Sequence, residues 1–140
     1  MRILIILTGT LLAAACGGGG SGEAGTVSPP TGIVPIGEVQ GSGSISPLEG
    51  RSVTISGTVT GDFQDGDADE QRNLGGFYVV GSPDGNPATS DGIFVFDGSN
   101  PFVDVSVGDA VEIDGRVNEY FGETQLQASA VRRIGTGAVI

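Results

Sequence analysis

Acidic residues are concentrated in one short stretch of the chain, GDFQDGDADE. Asp65, Asp67 and Asp69 alternate within it, and alternating carboxylates are the ligand pattern of calcium-binding loops. An EF-hand would need glycine and glutamate at its sixth and twelfth positions, where this sequence has Glu70 and Gly76. Two interpretations therefore stay open: a weak, water-rich Ca²⁺ or Mg²⁺ site, and a solvated turn between two strands.

The composition offers few other groups for chemistry. The chain has 17 acidic residues against 6 basic ones, all arginine, and no histidine. Nucleophile-and-base pairs need a histidine, a lysine or an activated cysteine, and the only cysteine here is Cys16 at the end of a leader segment. The spacing of the carboxylates selects no acid and base pair. We predict that the chain is not an enzyme and has no cofactor, apart from a weakly bound Ca²⁺ or Mg²⁺.

Three segments alternate between apolar and polar residues, which is the period of a half-buried strand. The first segment follows Val53, the second covers 109–121, and the third covers 124–130 after a tight turn at Gly122. Two shorter runs, GGFYVVG and GIFVFDG, are apolar at both parities, which is typical of short strands covered on both faces.

The order of these strands predicts a closed barrel. Gly57 and Gly115 lie near the middle of the two long strands on the inward face, where glycine permits the sharp bend of a barrel corner. Five strands with bent first and fourth members are typical of a small barrel of the OB type. We therefore predict an all-β, five-stranded OB-fold barrel.

Four sequence motifs then suggest a family: GDFQ, LGGFYVV, NPATSDGIFVFDG and VSVGDAVEIDGRVNEYFGETQL. Over residues 36–134 the chain resembles the N-terminal OB-fold module of bacterial extracellular endonucleases of the ExeM/NucH type. In that family the module precedes a metal-dependent nuclease domain that uses histidines and carboxylates. The resemblance implies a DNA-binding module that works with a nuclease domain in cis or in trans, or a free-standing lipoprotein built on the same module.

OB barrels bind ligands across strands 2 and 3 and between the loops that join strands 1 to 2 and 4 to 5. Aromatic rings on that face would stack on the bases of single-stranded DNA, and polar side chains would add contacts. The opposite strand parity would place Phe77 outside, and the segment 36–48 or a neighbouring domain could instead cover the face. The candidate nucleic-acid-binding residues are Tyr78, Phe94, Phe96, Arg116, Tyr120, Phe121, Gln125 and Gln127.

The sequence of the N-terminus is typical of an export signal. Arg2 is followed by a short apolar run, which is too short to span a bilayer, and then by Cys16. The run resembles a bacterial lipoprotein signal, so we predict residues 1–15 as a signal peptide and Cys16 as lipidated; an ordinary secretory signal is the alternative. By resemblance to Gram-negative lipoproteins, the glycine after Cys16 favours the outer membrane or cell surface.

The remaining chain divides into three parts. Residues 16–35 are rich in Gly, Ser and Pro and predict a flexible tether. Residues 36–134 form the barrel domain, and 135–140 are a tail or the start of a downstream region. Loss of Arg2 with the signal leaves five arginines against 17 acids, a net charge of −12, which argues against unaided attraction to phosphate.

Two functions follow from these observations. The first is a surface-anchored module that binds single-stranded or double-stranded DNA for a nuclease. The second is a free-standing lipoprotein that uses the same barrel face to dock a protein or a glycan, which suits the acidic charge.

Overall fold

The structure is a computed structural model that describes residues 32–64 and 73–137. The described residues contain one helix, α1 (Ile36–Gln40), and five strands. The strands are β1 (Ser52–Phe63), β2 (Gly76–Val80), β3 (Gly92–Phe96), β4 (Asp109–Tyr120) and β5 (Glu123–Thr136). No helix within these two ranges has the length and apolar character needed to cross a membrane.

The five strands form a closed barrel in the order β1-β2-β3-β5-β4. Every neighbouring pair is antiparallel except β3 and β5, which run parallel over three residues. β1 is long enough to pair with β4 through its first half and with β2 through its second half, so it closes the ring. The predicted all-β, five-stranded OB-fold barrel is confirmed.

The barrel interior is built from the alternation seen in the sequence. On β1, Val53 and Ile55 are at most 4% exposed, and on β4, Val111 and Ile113 are fully buried. Each fully buried aliphatic side chain of this size contributes about 1.5–3 kcal/mol relative to exposure. The two short, doubly apolar strands also contribute side chains to the core: Phe77 and Val79 from β2, and Ile93 and Val95 from β3.

The two inward glycines lie where the barrel leaves no room for a side chain. A Cβ at Gly57 would lie 2.5 Å from the carbonyl oxygen of Val80, close to the point where β1 changes partner from β4 to β2. A Cβ at Gly115 would lie 2.6 Å from the carbonyl oxygen of Gln127, and the β4–β5 register shifts between Asp114 and Gly115. This irregularity supports the predicted corner at Gly115.

Strand β5 is longer than the predicted segment 124–130. It continues to Thr136 because β4 pairs with it along its whole length. The sequence does not show this extension, because Arg132 and Arg133 are consecutive charged residues and interrupt the apolar-polar alternation. Both are exposed and pair with carboxylates of β4.

The packed chain also exceeds the predicted domain limits of 36 and 134. Val34 is 4% exposed within the core, and its amide donates to the carbonyl oxygen of Thr54. At the other end, Gly137 donates a backbone hydrogen bond to Gly108. The last residues of the predicted tether and the first residues of the predicted tail thus belong to the barrel.

Helix α1 packs against the barrel. Its residues Ile36 and Val39 are buried in the core, and the side chain of Gln40 donates a 2.7 Å hydrogen bond to the carbonyl oxygen of Gly92 on β3. After the helix, the hydroxyl of Ser46 donates to the carbonyl oxygen of Val39, and the amide of Ser46 donates to Glu119 on β4 at 2.8 Å. The segment before β1 is therefore fixed to both β3 and β4.

Candidate functional site

Aromatic side chains form a row on the outer face of β1, β2 and β3. Tyr78 on β2 pairs with Phe94 on β3, and their ring centroids are 5.0 Å apart. On the other side, Tyr78 meets Phe63 of β1 edge to face, with centroids 6.0 Å apart. Cross-strand partners share a face of the sheet, and so do residues two positions apart on one strand. Phe63 lies two residues beyond Gly61, the partner of Tyr78, so it joins the same row. The side chain of Phe77 is fully buried, which settles the parity in favour of Tyr78.

Amide side chains continue this face across β5 and β4. Gln125 pairs with Phe94 on one side and with Asn118 on the other. One row further along, Gln127 pairs with both Phe96 and Arg116. The parallel contact of β3 with β5 therefore places aromatic rings next to carboxamides, which can both donate and accept hydrogen bonds.

These side chains surround an open groove of about 430 Å³, called here the aromatic groove. Six of the eight predicted binding residues line it, and Arg116 and Phe121 do not. The lining residues are Leu74, Tyr78, Phe94, Phe96, Asn118, Tyr120, Glu123, Gln125 and Gln127.

The rings of the groove differ in how much surface they offer. Phe94 is only 8% exposed and forms part of the floor, whereas Phe96 is 36% and Tyr120 is 58% exposed. Stacking needs an open ring face. Tyr78, which is half-buried, and these two more exposed rings are therefore the ones that a ligand can contact.

Phe121 stands at the tip of the β4–β5 hairpin, outside the groove. It is 95% exposed and packs edge to face on Tyr120 at a centroid distance of 4.7 Å. Its φ of 48° is the only positive value among the described non-glycine residues, and it is followed by Gly122 with φ 87°. Two consecutive positive φ angles fit a type I′ hairpin turn, where asparagine and glycine are the usual residues.

A contact between Tyr78 and Glu123 crosses the groove. The phenol donates to the carboxylate of Glu123 at 3.4 Å, which is a long hydrogen bond. Burial raises the pKa of Tyr78 above its usual 10, and the charge of Glu123 and this hydrogen bond raise it further. All of these causes favour the neutral phenol.

Glu123 is the only ionisable side chain other than the two tyrosines in the described lining of the groove. Arg116 lies beside the groove, but its guanidinium donates to the carbonyl oxygen of Gly50 at 3.0 Å. Arg132 bridges two carboxylates of β4 at 2.7 and 2.9 Å, and Arg133 pairs with Asp109 at 3.0 Å. The described residues thus bring no arginine into the groove.

The acidic stretch connects β1 to β2, as predicted, because β1 ends at Phe63 and β2 begins at Gly76. Asp65, Asp67 and Asp69, like Cys16, lie outside the described residues. Among residues 32–64 and 73–137 no cluster of carboxylates is arranged to hold a metal ion.

Gln64, which lies between the end of β1 and Asp65, is a buried anchor within the acidic stretch. Its side-chain amide donates to Asp97 at 2.6 Å and to the carbonyl oxygen of Val103 at 2.9 Å, and its oxygen accepts from the amide of Val105. Gln64 thereby fixes the end of β1 to the segment that follows β3.

Sequence reasoning missed three residues of the groove lining and one ring of the aromatic row. Leu74, Asn118 and Glu123 line the groove, and Phe63 completes the row. By the alternation of the inward residues Val53 and Ile55, Phe63 would point into the barrel, and it faces outward because the β1–β2 register shifts between Val59 and Gly61. The other three depend on the register between strands, which the sequence pattern does not specify.

The segment 36–48 does not cover the aromatic groove. None of its residues lines the groove, and four of them, Gln40, Gly41, Gly43 and Ser44, line a separate depression beside it. This part of the chain, which was one of the predicted covers, therefore leaves the face open.

Comparisons with known proteins give similar folds and no family. No protein-family model matches the chain, and no curated protein matches it. The hypothetical protein ygiW from E. coli is similar with 18% identity and a TM-score of 0.43, covering 61% of this chain and 77% of that one. The OBody AM1L10, in a complex with hen egg-white lysozyme, is similar with 17% identity and a TM-score of 0.49, covering 79% and 98%.

Proposed function

We propose that the barrel is a ligand-binding module whose aromatic groove holds single-stranded DNA by base stacking. The observation that carries this proposal is the meeting of exposed rings and carboxamides in one open groove that crosses β2, β3, β5 and β4. OB folds use this face for oligonucleotides and oligosaccharides. The exposed carboxamide of Gln127 is suited to the edges of bases, which carry both donors and acceptors, whereas Gln125, at 9% exposure, belongs to the floor of the groove.

Stacking must supply most of the affinity in this proposal. Each stacked base contributes about 1–3 kcal/mol, while counterion release supplies little because no described arginine enters the groove. We therefore expect micromolar or weaker binding. Millimolar Mg²⁺ or Ca²⁺ should strengthen it, because divalent ions screen the repulsion between carboxylates and phosphates, and chelation should reverse the gain.

A titration of the full chain with oligothymidylate in millimolar Mg²⁺ tests the proposal. Tyr78→Ala and Phe96→Ala should each weaken binding by about 1–3 kcal/mol. Phe102→Ala is the matched control, because Phe102 is 51% exposed but does not line the groove. Absence of binding, or equal losses in all three variants, would contradict DNA binding at this site.

A second candidate ligand is a neutral glycan. Glu123 supplies the only carboxylate in the described lining of the groove, which otherwise consists mainly of rings and amides. The hydroxyl groups of a glycan can donate hydrogen bonds to this carboxylate, whereas the phosphates of DNA are repelled by it. Docking of a protein on the same face belongs to this alternative. A neutral cello-oligosaccharide that binds without Mg²⁺, and loses affinity in Tyr78→Ala, would favour it over DNA.

We further propose that the module is exported, lipidated at Cys16 and held at the outer membrane or cell surface, where a nuclease domain in cis or in trans would act on the bound DNA. The proposal is supported by the apolar leader that ends at the only cysteine of the chain. A Cys16→Ser variant should leave the membrane fraction. Unchanged partitioning of this variant would exclude a lipid anchor at this residue.

A further inference from the structure

A second depression of about 550 Å³ lies directly beside the aromatic groove. Tyr78, Phe94 and Glu123 line both, so the two depressions meet at the contact between the phenol and the carboxylate. The far side of the second depression is formed by the segment after α1 and by the loop between β2 and β3.

The two depressions follow one direction along the barrel. Phe96 and Gln127 line only the aromatic groove, whereas Gly92 and Gly122 line only the second depression. In chain order Gly92 comes before Phe96 on β3, and Gly122, just before β5, comes before Gln127 on that parallel strand. Four residue steps on β3 separate Phe96 from Gly92, which is about 13 Å at roughly 3.3 Å per residue. The path therefore runs along the β3–β5 seam.

The second depression differs chemically from the groove. Beyond the three shared residues it is lined mainly by small and polar groups, and it adds no ring and no ionisable side chain in the described part of the chain. Ser44 and Ser90 are exposed there, and Gly43 offers bare backbone. Such a surface gives bases nothing to stack on. The hydroxyl of Ser44 can donate a hydrogen bond to the oxygens of a sugar-phosphate chain, whereas the hydroxyl of Ser90 donates to the carbonyl oxygen of Gly92 at 3.1 Å.

We propose that the second depression is a second subsite for the same strand of DNA. Bases stack in the aromatic groove, and the sugar-phosphate chain continues past Tyr78 into the depression beside Ser44. Millimolar Mg²⁺ is needed along this path, because it screens the repulsion between the phosphates and Glu123. This inference rests on the proposed function. It adds a path along the β3–β5 seam, and it makes affinity depend on the length of the oligonucleotide.

Full-length protein is titrated with oligothymidylates of about two to eight nucleotides, the lower part of the range that single OB folds occupy. Oligomers long enough to reach the second subsite should bind roughly 2- to 10-fold more tightly than the shortest ones, as expected for one added hydrogen bond of about 0.5–1.5 kcal/mol. Ser44→Trp fills the depression from one rim and Ala88→Trp from the other. Each should remove that increment and leave the shortest oligomers unaffected.

Ser42→Trp is the matched control, because Ser42 is exposed in the same segment but does not line the depression. If short and long oligomers bind equally, or if all three tryptophan variants act alike at every length, the second subsite is overturned while DNA binding in the groove stands. If no oligomer of any length binds, DNA binding itself is refuted, and the path for DNA is refuted with it.

Discussion

Replacement of Gly115 by alanine should destabilise the barrel that holds the groove. The new Cβ would lie 2.6 Å from the carbonyl oxygen of Gln127 and 2.7 Å from Cγ of Leu126, against 3.4 Å for ordinary contact. The backbone of β5, the strand that carries Gln125 and Gln127, would therefore have to move by about 0.8 Å. Such overpacking costs about 1–3 kcal/mol.

A smaller opposing effect comes from the unfolded state. Exchange of glycine for alanine restricts the unfolded chain, and this stabilises the folded protein by about 0.4–1 kcal/mol where the native backbone accepts a side chain. The expected net loss is about 1–2 kcal/mol, which lowers the urea midpoint by roughly 0.5–1 M if the slope is about 2 kcal/mol per molar.

Urea denaturation followed by circular dichroism measures this loss. Gly92→Ala is the matched control, because Gly92 also lies in a strand and its Cβ would meet its nearest neighbour at an ordinary 3.6 Å. The control should be neutral or slightly stabilising. Equal midpoints for the parent and Gly115→Ala would refute the corner and its steric cause.

Two further predictions concern the hairpin and the groove. Phe121→Asn should raise the free energy of unfolding by about 1 kcal/mol, because asparagine tolerates the left-handed backbone better than phenylalanine; a lower thermal midpoint would contradict this. In a Tyr120→Phe background, Tyr78 is the only tyrosine, and its phenolate absorbance should give a pKa above 10. Glu123→Gln should lower this pKa because Glu123 is one of the causes that raise it. Asp104→Asn is the control and should leave the pKa unchanged, because Asp104 is not one of those causes. Since the pKa of Tyr78 is raised in the folded protein, the stabilisation linked to Tyr78 is complete below pH 10 and is lost as the pH rises through the folded pKa. A titration of Tyr78 at pH 10 that is the same in the parent and in Glu123→Gln would refute the contact.

The strands of the barrel were predictable because side chains alternate with a period of two. The pattern around Val53 and Ile113 identified one inward face, and the glycines on it indicated the corners. Helix α1 was missed because five residues are too few to show helical periodicity. The C-terminal half of β5 was missed because Arg132 and Arg133 interrupt the alternation.

The candidate site was predictable only in part, for a physical reason. The sequence indicated Tyr78, Phe94 and Phe96 as outward rings but left Phe77 as the alternative to Tyr78, because the runs on β2 and β3 are apolar at both parities. Closure of the barrel then decides which strands become neighbours and at what register. Glu123 meets Tyr78 only because β3 lies between β2 and β5 and runs parallel to β5. A contact between residues 45 positions apart in the sequence depends on that closure.

Chemical-shift mapping of the isotope-labelled protein with oligothymidylate in millimolar Mg²⁺ tests the central claim most directly. The proposed function predicts that the largest backbone amide shifts fall at Tyr78, Phe96, Tyr120 and Gln125, which line the aromatic groove. Shifts that instead cluster around Phe102 and Val107, two exposed residues outside the groove, or their absence at millimolar oligonucleotide, would contradict it.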